Sequence, residues 1–554
     1  MLSENKIWIG KSGDEKIFIY PKMANRHGMI AGATGTGKTV TLKVLAESFS
    51  EMGVPVFMAD VKGDLAGMCE VGEDSESMQK RIEKFGLAEE GFTYRSYPVN
   101  FWDIYSENGL PLRTTISEMG PLLLSKVLGL NDTQSAVLKV VFKIADDEGL
   151  LLIDTKDLRS MLTYVSENSK EFSSTYGNMA PQSLAAIIRS VIALEDEGGD
   201  LFFGEPALDI RDWVATNYDG LGFMNILDCQ TLINKPTMYS TFLLWMLSEL
   251  YELMPEAGDL EKPRMVFFFD EAHLLFDNAS KELLEKVEQV VKLIRSKGVS
   301  IFFITQNPKD IPDGVLSQLG TKIQHALRAY TPAEQKGAKI AAQSFRVNPE
   351  FDTYETLSNL GIGEALVSVL DEEGIPTVVK NTKILPPRSK MGAIEYTSSR
   401  TKVIDGSPLH LKYIEAVDRD SAYEFLERKS IADAEAAEAA REEAEKAKQE
   451  ALEQKAREKE EALAAKEAAK LEAAEQKARE KEILAEKKAK EKAEAKKQNA
   501  KKNAIKQVGS TAAGTVGREV GQAVGGSFGK FGKKLGGNVG ASLGRGIIGT
   551  LFGR

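Results

Sequence analysis

Apolar residues gather in short unbroken runs separated by amphipathic stretches. The runs are Met29–Ala31, Val54–Ala59, Phe223–Leu227, Met265–Phe269 and Ile301–Ile304, with Asn225 the polar interruption. Short apolar runs bounded by polar or Gly-rich turns predict strands buried on both faces, as in a sheet covered by helices. Between them, Val40–Phe49, Leu122–Leu128, Ser135–Ala145, Leu158–Val165, Pro181–Leu194, Thr237–Met254 and Lys281–Ser296 predict helices, and Asn131 is placed to cap one of them. At the start, Ile7–Gly10 and Ile17–Tyr20 flank a Gly13-Asp14 turn and predict a hairpin; near the end, Gly363–Leu370 and Thr377–Val379 predict another around Gly374. Strands alternating with helices make the fold α/β. The expected organisation is a β element over 1–26 and a sheet domain over 27–390 with a helical insertion at about 110–215. A connector over 391–431, a charged helix over 432–503 and a Gly-rich tail over 504–554 complete it.

The first strand runs into Gly32-Ala33-Thr34-Gly35-Thr36-Gly37-Lys38-Thr39-Val40. This is the G-x-x-x-x-G-K-[ST] spacing of a phosphate-binding loop opening a helix. Gly32, Gly35 and Gly37 permit the backbone to turn its N–H groups around a polyphosphate, and the helix that follows directs its positive end there. Lys38 is expected at the β- and γ-phosphates of ATP, and the Thr39 hydroxyl at Mg²⁺. Five apolar residues ending in Asp270-Glu271 have the form of a Walker B strand. Asp270 is expected in the Mg²⁺ shell, with Glu271 orienting and deprotonating the attacking water. The next strand ends in Thr305-Gln306, placing an amide to sense the γ-phosphate or position water. Loop, strand, Walker B and Gln-terminated strand in that order predict a RecA-like sheet, in which an additional strand separates the loop strand from the Walker B strand. Asp60 and Asp64 at a strand exit are expected to border the nucleotide, since ligands gather at the carboxyl ends of parallel strands. His27, just before the loop strand, is a weaker candidate, with packing beside the loop as the alternative.

Composition narrows the field. The chain has 554 residues, enough for more than one domain, and its net charge of −11 means that any nucleic-acid site must be local. Two cysteines far apart in sequence give no disulfide framework or zinc spacing, and no run approaches a membrane span; a cytoplasmic protein is expected. From about Ala432 to Lys502 Ala, Glu, Lys and Arg dominate, without Gly or Pro, which favours continuous helix about 100 Å long. EQKAREKE at 453–460 recurs at 475–482, two eleven-residue periods on, but Leu452, Leu463, Leu471 and Leu484 make a sparse seam. A single solvated helix is therefore expected ahead of a weak coiled coil. In the last stretch Gly517, Gly521, Gly525 and Gly529 recur every fourth position, then Gly532, Gly536, Gly540 and Gly544, among Lys530, Lys533, Lys534 and Arg545. Such spacing lets helices approach closely. The lysines argue for contact with a membrane surface or a partner protein rather than a span, or else for an unstructured tail.

Read together, NRHGMIAGATGTGKT, VFFFDEAHLLF, LIRSKGVSIFFITQNP, QHALRAYTP and GEALVSVLDEEGIP resemble the HerA–FtsK superfamily of ring ATPases, and more narrowly a bacterial branch of HerA-like ATPases. The resemblance spans about residues 5–390. It implies a homo-oligomeric, hexameric ring whose relatives pump or unwind double-stranded DNA. Lys38, Thr39, Asp270, Glu271 and Gln306 match the nucleotide motifs, and Arg295 falls where HerA-type proteins place a trans-acting arginine; Arg328 is the rival position. Archaeal members carry a sizeable N-terminal β-barrel before the loop, whereas residues 1–31 precede Gly32 here. A DNA translocase or helicase is the leading expectation. A membrane-linked motor or assembly factor acting on protein and a slow nucleotide-dependent scaffold are the others.

Overall fold

The structure is a computed structural model that describes residues 1–258, 260–276, 281–328, 331–394 and 399–498. The Gly-rich tail, 504–554, and the end of the charged segment, 499–503, lie outside the described residues.

Thirteen strands form one sheet. In chain order they are β1 (Leu2–Ser3), β2 (Lys6–Ser12), β3 (Glu15–Ile19), β4 (Gly28–Ala31), β5 (Val56–Asp60), β6 (Val99–Asp103), β7 (Leu110–Pro111), β8 (Met224–Asp228), β9 (Met265–Phe269), β10 (Val299–Thr305), β11 (Thr321–His325), β12 (Glu364–Ser368) and β13 (Lys380–Ile384). Across the sheet the order is β1-β2-β13-β12-β11-β4-β10-β9-β5-β8-β6-β7, with β3 paired to β2. From β11 to β7 all pairings are parallel. On the other side of β11, strands β12, β13, β2 and β1 run antiparallel. β10 thus sits between the loop strand β4 and the Walker B strand β9, the arrangement expected of a RecA-like sheet with an additional strand.

The apolar runs are buried on both faces because alternate side chains enter different layers. Phe267 and Phe269 join one core with Phe57, Phe303 and Trp245; Val266 and Phe268 join the other with Phe49, Phe302 and Ile304. Each buried phenylalanine contributes about 1.5–3 kcal/mol, enough to make these runs the spine of the domain. Helix α1 (Lys38–Glu51) packs on the second face. The first face carries the insertion helices α2 (Ile116–Val127), α3 (Asp132–Glu148), α4 (Thr155–Glu167), α5 (Ser169–Tyr176) and α6 (Pro181–Glu195), followed by α7 (Pro236–Leu253) and α8 (Lys281–Leu293). Side-chain caps set the starts of three insertion helices, whereas α6 starts on Pro181 without one. Asn131 accepts from the Gln134 N–H, Thr115 from the Glu118 N–H and Asp154 from the Asp157 N–H.

The second hairpin differs from expectation. Its return strand is β13, at 380–384 rather than 377–379. Thr377 still bonds Val369, but the regular strand forms where the chain gains β12 on one side and β2 on the other. The last helix, α9 (Ala422–Gln498), begins ten residues before the compositional change because Ala422 and Leu426 are buried in the core. Residues 1–437 form one compact unit, and the second unit begins at 438. In the second unit the leucines at 452, 463, 471 and 484 are exposed. Among the described residues no helix is long and apolar enough to cross a membrane.

Candidate functional site: a phosphate loop at the carboxyl edge of the sheet

β4 ends against two neighbours that fix the loop following it. The Gly32 N–H donates to Thr305 at the end of β10 (3.2 Å), and the Ala33 N–H donates to Ala326 just past β11 (2.9 Å). Thr36 accepts from the Gly363 N–H (3.0 Å) and its hydroxyl donates back to Ala33 (2.7 Å). Gly37, with φ 117°, precedes α1 in the left-handed region, and a Cβ on Gly32 would lie 2.5 Å from His325 Cβ. Both positions therefore require glycine.

His325 is the buttress that sequence reasoning missed. It is fully buried; its Nδ1–H donates to the Glu364 carbonyl (2.9 Å) and its Nε2 accepts the Thr41 hydroxyl (2.8 Å). Burial, with the charge of Lys38 nearby, pushes its pKa down to about 4, so the ring is neutral. The sequence offered little signal for it, because Thr321-Lys322-Ile323-Gln324-His325, the whole of β11, holds a single apolar residue.

Lys38 is 7% exposed and folds over its own loop, donating to the carbonyls of Gly32 (2.6 Å) and Ala33 (3.2 Å). Burial lowers its pKa, while Glu271 and Asp270 hold its charge in place. Asp270 and Glu271 leave β9 at the same edge and are both buried. Burial and the adjacent Glu271 push the Asp270 carboxyl up to about 6. Glu271, with φ 47°, is held in the left-handed region, and its Oε2 accepts the Gln306 amide (3.2 Å). Its Oε1 takes the Lys62 ammonium at 2.5 Å. Burial would raise the Glu271 pKa, but the bond and charge of Lys62 outweigh it and keep the carboxylate below its ordinary range. Lys62 too was missed; its only sequence mark is its place in the Asp60–Asp64 strand exit.

Asp60 is buried, and its carboxylate accepts the N–H groups of Gly63 (2.8 Å) and Leu65 (3.1 Å), shaping the turn after β5. Burial and the neighbouring Asp64 push it up to about 7. Asp64 then faces the loop: its Oδ2 takes the Thr39 hydroxyl at 3.4 Å, and its buried Oδ1 has no partner among the described residues. Thr39, Asp64 and Asp270 offer hard oxygen donors of the kind Mg²⁺ takes, and the unpartnered Asp64 oxygen fits a cation. Among the described residues no group of three or more acidic, His or Cys side chains could hold a metal on its own. Phosphate oxygens would thus have to complete the shell. Val40, half-buried in the first turn of α1, contributes packing.

Of the three remaining sequence candidates, one borders the loop and two lie elsewhere. Arg328 is exposed and lines a 350 Å³ cavity with Ala33, Thr34, His273 and Gln306, on the open side of the loop. His27 and Arg295 lie at the opposite, amino edge of the sheet. His27 is buried, its Nε2–H donating to Val291 (2.8 Å) and its Nδ1 accepting the Ile301 N–H (3.0 Å). It packs β4 against α8 and β10 rather than reaching the loop. Arg295 follows α8 and lines a separate 690 Å³ cavity with His27, Arg26, Lys292, Lys322 and Arg346. The seven residues of β10 separate it from Gln306, about 20 Å of strand.

Among known proteins, the family model for the helicase HerA-like C-terminal region matches residues 5–536. A protein named "Probable helicase" from Methanocaldococcus jannaschii is 31% identical over 170 residues, 29% of this chain and 31% of that one. The DNA double-strand break repair helicase HerA of Sulfurisphaera tokodaii is 24% identical over 390 residues, 69% of this chain and 70% of its own length. Among solved structures, the bacterial conjugative coupling protein TrwBdeltaN70 has a TM-score of 0.46 at 14% identity, covering 71% of this chain and 92% of its own. VirB4 of Thermoanaerobacter pseudethanolicus has 0.44 at 17%, covering 69% and 97%.

Proposed function

We propose that this chain, which belongs to the helicase HerA-like C-terminal family, is an ATP-hydrolysing motor that works as a homo-oligomeric ring, a hexamer, and moves along double-stranded DNA. The observation that carries the reading is the Glu271 carboxylate, bonded to Gln306 at the edge where the phosphate loop opens. Phosphoryl transfer to water asks little covalent chemistry of a protein; it asks for positioning and charge neutralisation. Lys38 meets the β- and γ-phosphates once it leaves the loop carbonyls it now bonds. Thr39 and Asp270, with Asp64 beside them, would hold Mg²⁺, which would neutralise phosphate charge. Glu271 accepts the proton of the attacking water, and Gln306 fixes both the carboxylate and that water. Arg295, at the far edge from its own loop, serves the nucleotide of a neighbouring copy, where its planar fork matches the charge gained by the transferred phosphoryl oxygens. Arg328 lines the subunit's own loop cavity and competes for that role in cis. The naming of the similar Sulfurisphaera tokodaii protein as a DNA double-strand break repair helicase supports duplex DNA as the load.

The test is ATP turnover with and without duplex DNA, on the wild type and Glu271→Gln, beside single-particle images of ring symmetry. Turnover stimulated by DNA and lost in Glu271→Gln is the expected result. Near-wild-type turnover in Glu271→Gln would remove the base from the reading. Turnover indifferent to duplex would remove DNA and leave the ATPase.

A further inference from the structure

Each oxygen of the Glu271 carboxylate has a side-chain partner. Lys62 Nζ lies 2.5 Å from Oε1, Gln306 Nε2 donates to Oε2 at 3.2 Å, and His273 Nδ1 lies 3.3 Å from Oε2 without hydrogen-bond geometry. A base that must take a proton from water needs an open oxygen, and the amide of Gln306 occupies only one of the two. Lys62 is the group that closes the other. Its side chain is 43% exposed while that of Glu271 is 6% exposed, so the lysine is the partner able to move.

The turn that carries Lys62 is itself fixed. Asp60 holds the N–H groups of Gly63 and Leu65, and Asp64 reaches Thr39 at the start of α1. The stem of Lys62 is thus anchored beside the phosphate loop while its ammonium is free to swing. That ammonium sits on Glu271 at the edge where the phosphate loop opens, and its charge acts on Lys38 and Asp270 there. A terminal phosphate entering this seat brings more negative charge than one carboxylate, and at short range in a partly dry site the larger charge wins the cation.

We propose that Lys62 is an exchangeable ligand, pairing with Glu271 when the site is empty and with the terminal phosphate of a nucleoside triphosphate when it is full, so that arrival of the γ-phosphate both is sensed by Lys62 and frees Glu271 Oε1 for water. A diphosphate has no terminal group at that position and leaves Lys62 on Glu271. The inference rests on the nucleotide-site reading above. It adds a residue that separates triphosphate from diphosphate and ties that choice to unlocking of the base.

The test is calorimetric titration of the full chain, with Mg²⁺, against ADP and against a non-hydrolysable ATP analogue, for the wild type, Lys62→Met and Lys62→Arg. Charged hydrogen bonds of this kind contribute enough for about a 10-fold loss of affinity. Lys62→Met should lose about 10-fold for the ATP analogue and keep its ADP affinity; Lys62→Arg, which retains the cation, should keep most of the preference. A structural role for Lys62 would weaken both ligands together, and that result overturns the inference. So does a Lys62→Met chain that keeps the wild-type preference. If the wild type binds neither ligand, the nucleotide-site reading falls and takes the inference with it, an outcome distinct from a wild type that binds both.

Discussion

The two edges of the parallel sheet each hold a buried, neutral histidine, yet their surroundings are opposite. At the carboxyl edge, His325 backs a phosphate loop faced by Asp64, Asp270 and Glu271, with Lys38 and Lys62 set among the acids. At the amino edge, His27 lines a cavity with Arg26, Lys292, Arg295, Lys322 and Arg346, and among the described residues no carboxylate lines it, although Glu288 pairs with Lys292 at 3.8 Å. Burial pushes both histidines down to about 4. Burial also lowers the Lys322 pKa, with no acid to offset it. One edge therefore suits a metal–phosphate complex held between opposite charges. The other is a surplus of cations, which suits an anion brought by something else. That asymmetry is the physical reason to read Arg295 as acting on a neighbour's nucleotide: its own is a strand's length away and already served.

The largest effect should come from the amino edge. Arg295→Ala is expected to bind ATP normally and hydrolyse it about 10³-fold more slowly, in the range for trans-acting arginines. Mixing it with Glu271→Gln subunits should restore part of the activity, because one mixed interface joins an intact Glu271 to an intact Arg295. Full activity in Arg295→Ala, or no rescue in verified mixed rings, would move the role to Arg328 or end the contrast between edges. Next, Lys38→Ala should weaken ATP binding by about 10–100-fold and remove most turnover, since a charged hydrogen bond to phosphate contributes about 1.5–3 kcal/mol. Unchanged affinity by titration would show that Lys38 stays on its loop carbonyls.

A smaller effect separates the two histidines from the chemistry. His27 has a folded pKa of about 4 against an ordinary 6.5. Its contribution is full above pH 6.5 and declines as pH falls towards 4, because the unfolded chain takes up the proton first. Relative to His27→Gln, the wild type should therefore lose on the order of 2 kcal/mol between pH 7 and pH 5 in chemical denaturation. A pH-independent difference would mean that His27 is not held neutral. The smallest effect should follow removal of 438–554, which belongs to neither edge: the denaturation free energy of the remaining chain should stay within about 0.5 kcal/mol. A collapse of the core's transition would show that the second unit is part of the fold.

Local chemistry made much of this legible. A phosphate loop is short and contiguous, so Gly32 to Thr39 can be read from spacing alone. The apolar runs announced β4, β5, β9 and β10 because strands buried on both faces can hold little else. Asp270, Glu271 and Gln306 followed from strand order, since each is the first polar residue after such a run or next to it. What the sequence determined by itself is thus the apolar strands and the groups at their ends; β6 and β11, whose buried positions include Asn100, Asp103, Gln324 and His325, were not announced by any apolar run.

The tertiary structure decided everything that depends on which strands are neighbours and which way a side chain points. The edge strand β13 settled at 380–384 because it is shared by β12 and β2, strands far apart in the chain. Arg400, in what reads as a connector, is buried against Asp228 at 3.0 Å and over the ring of Phe101 at 4.5 Å. His27 lies five positions before Gly32, the start of the phosphate loop, yet belongs to the opposite edge, because β4 carries the chain across the sheet between them. Lys62 and Glu271 are 209 positions apart and meet only because β5 and β9 are paired in register. Sequence spacing reports periodicity along one strand; it holds no information on the hydrogen-bonded partner beside it, and it is that partner which brings the charges together.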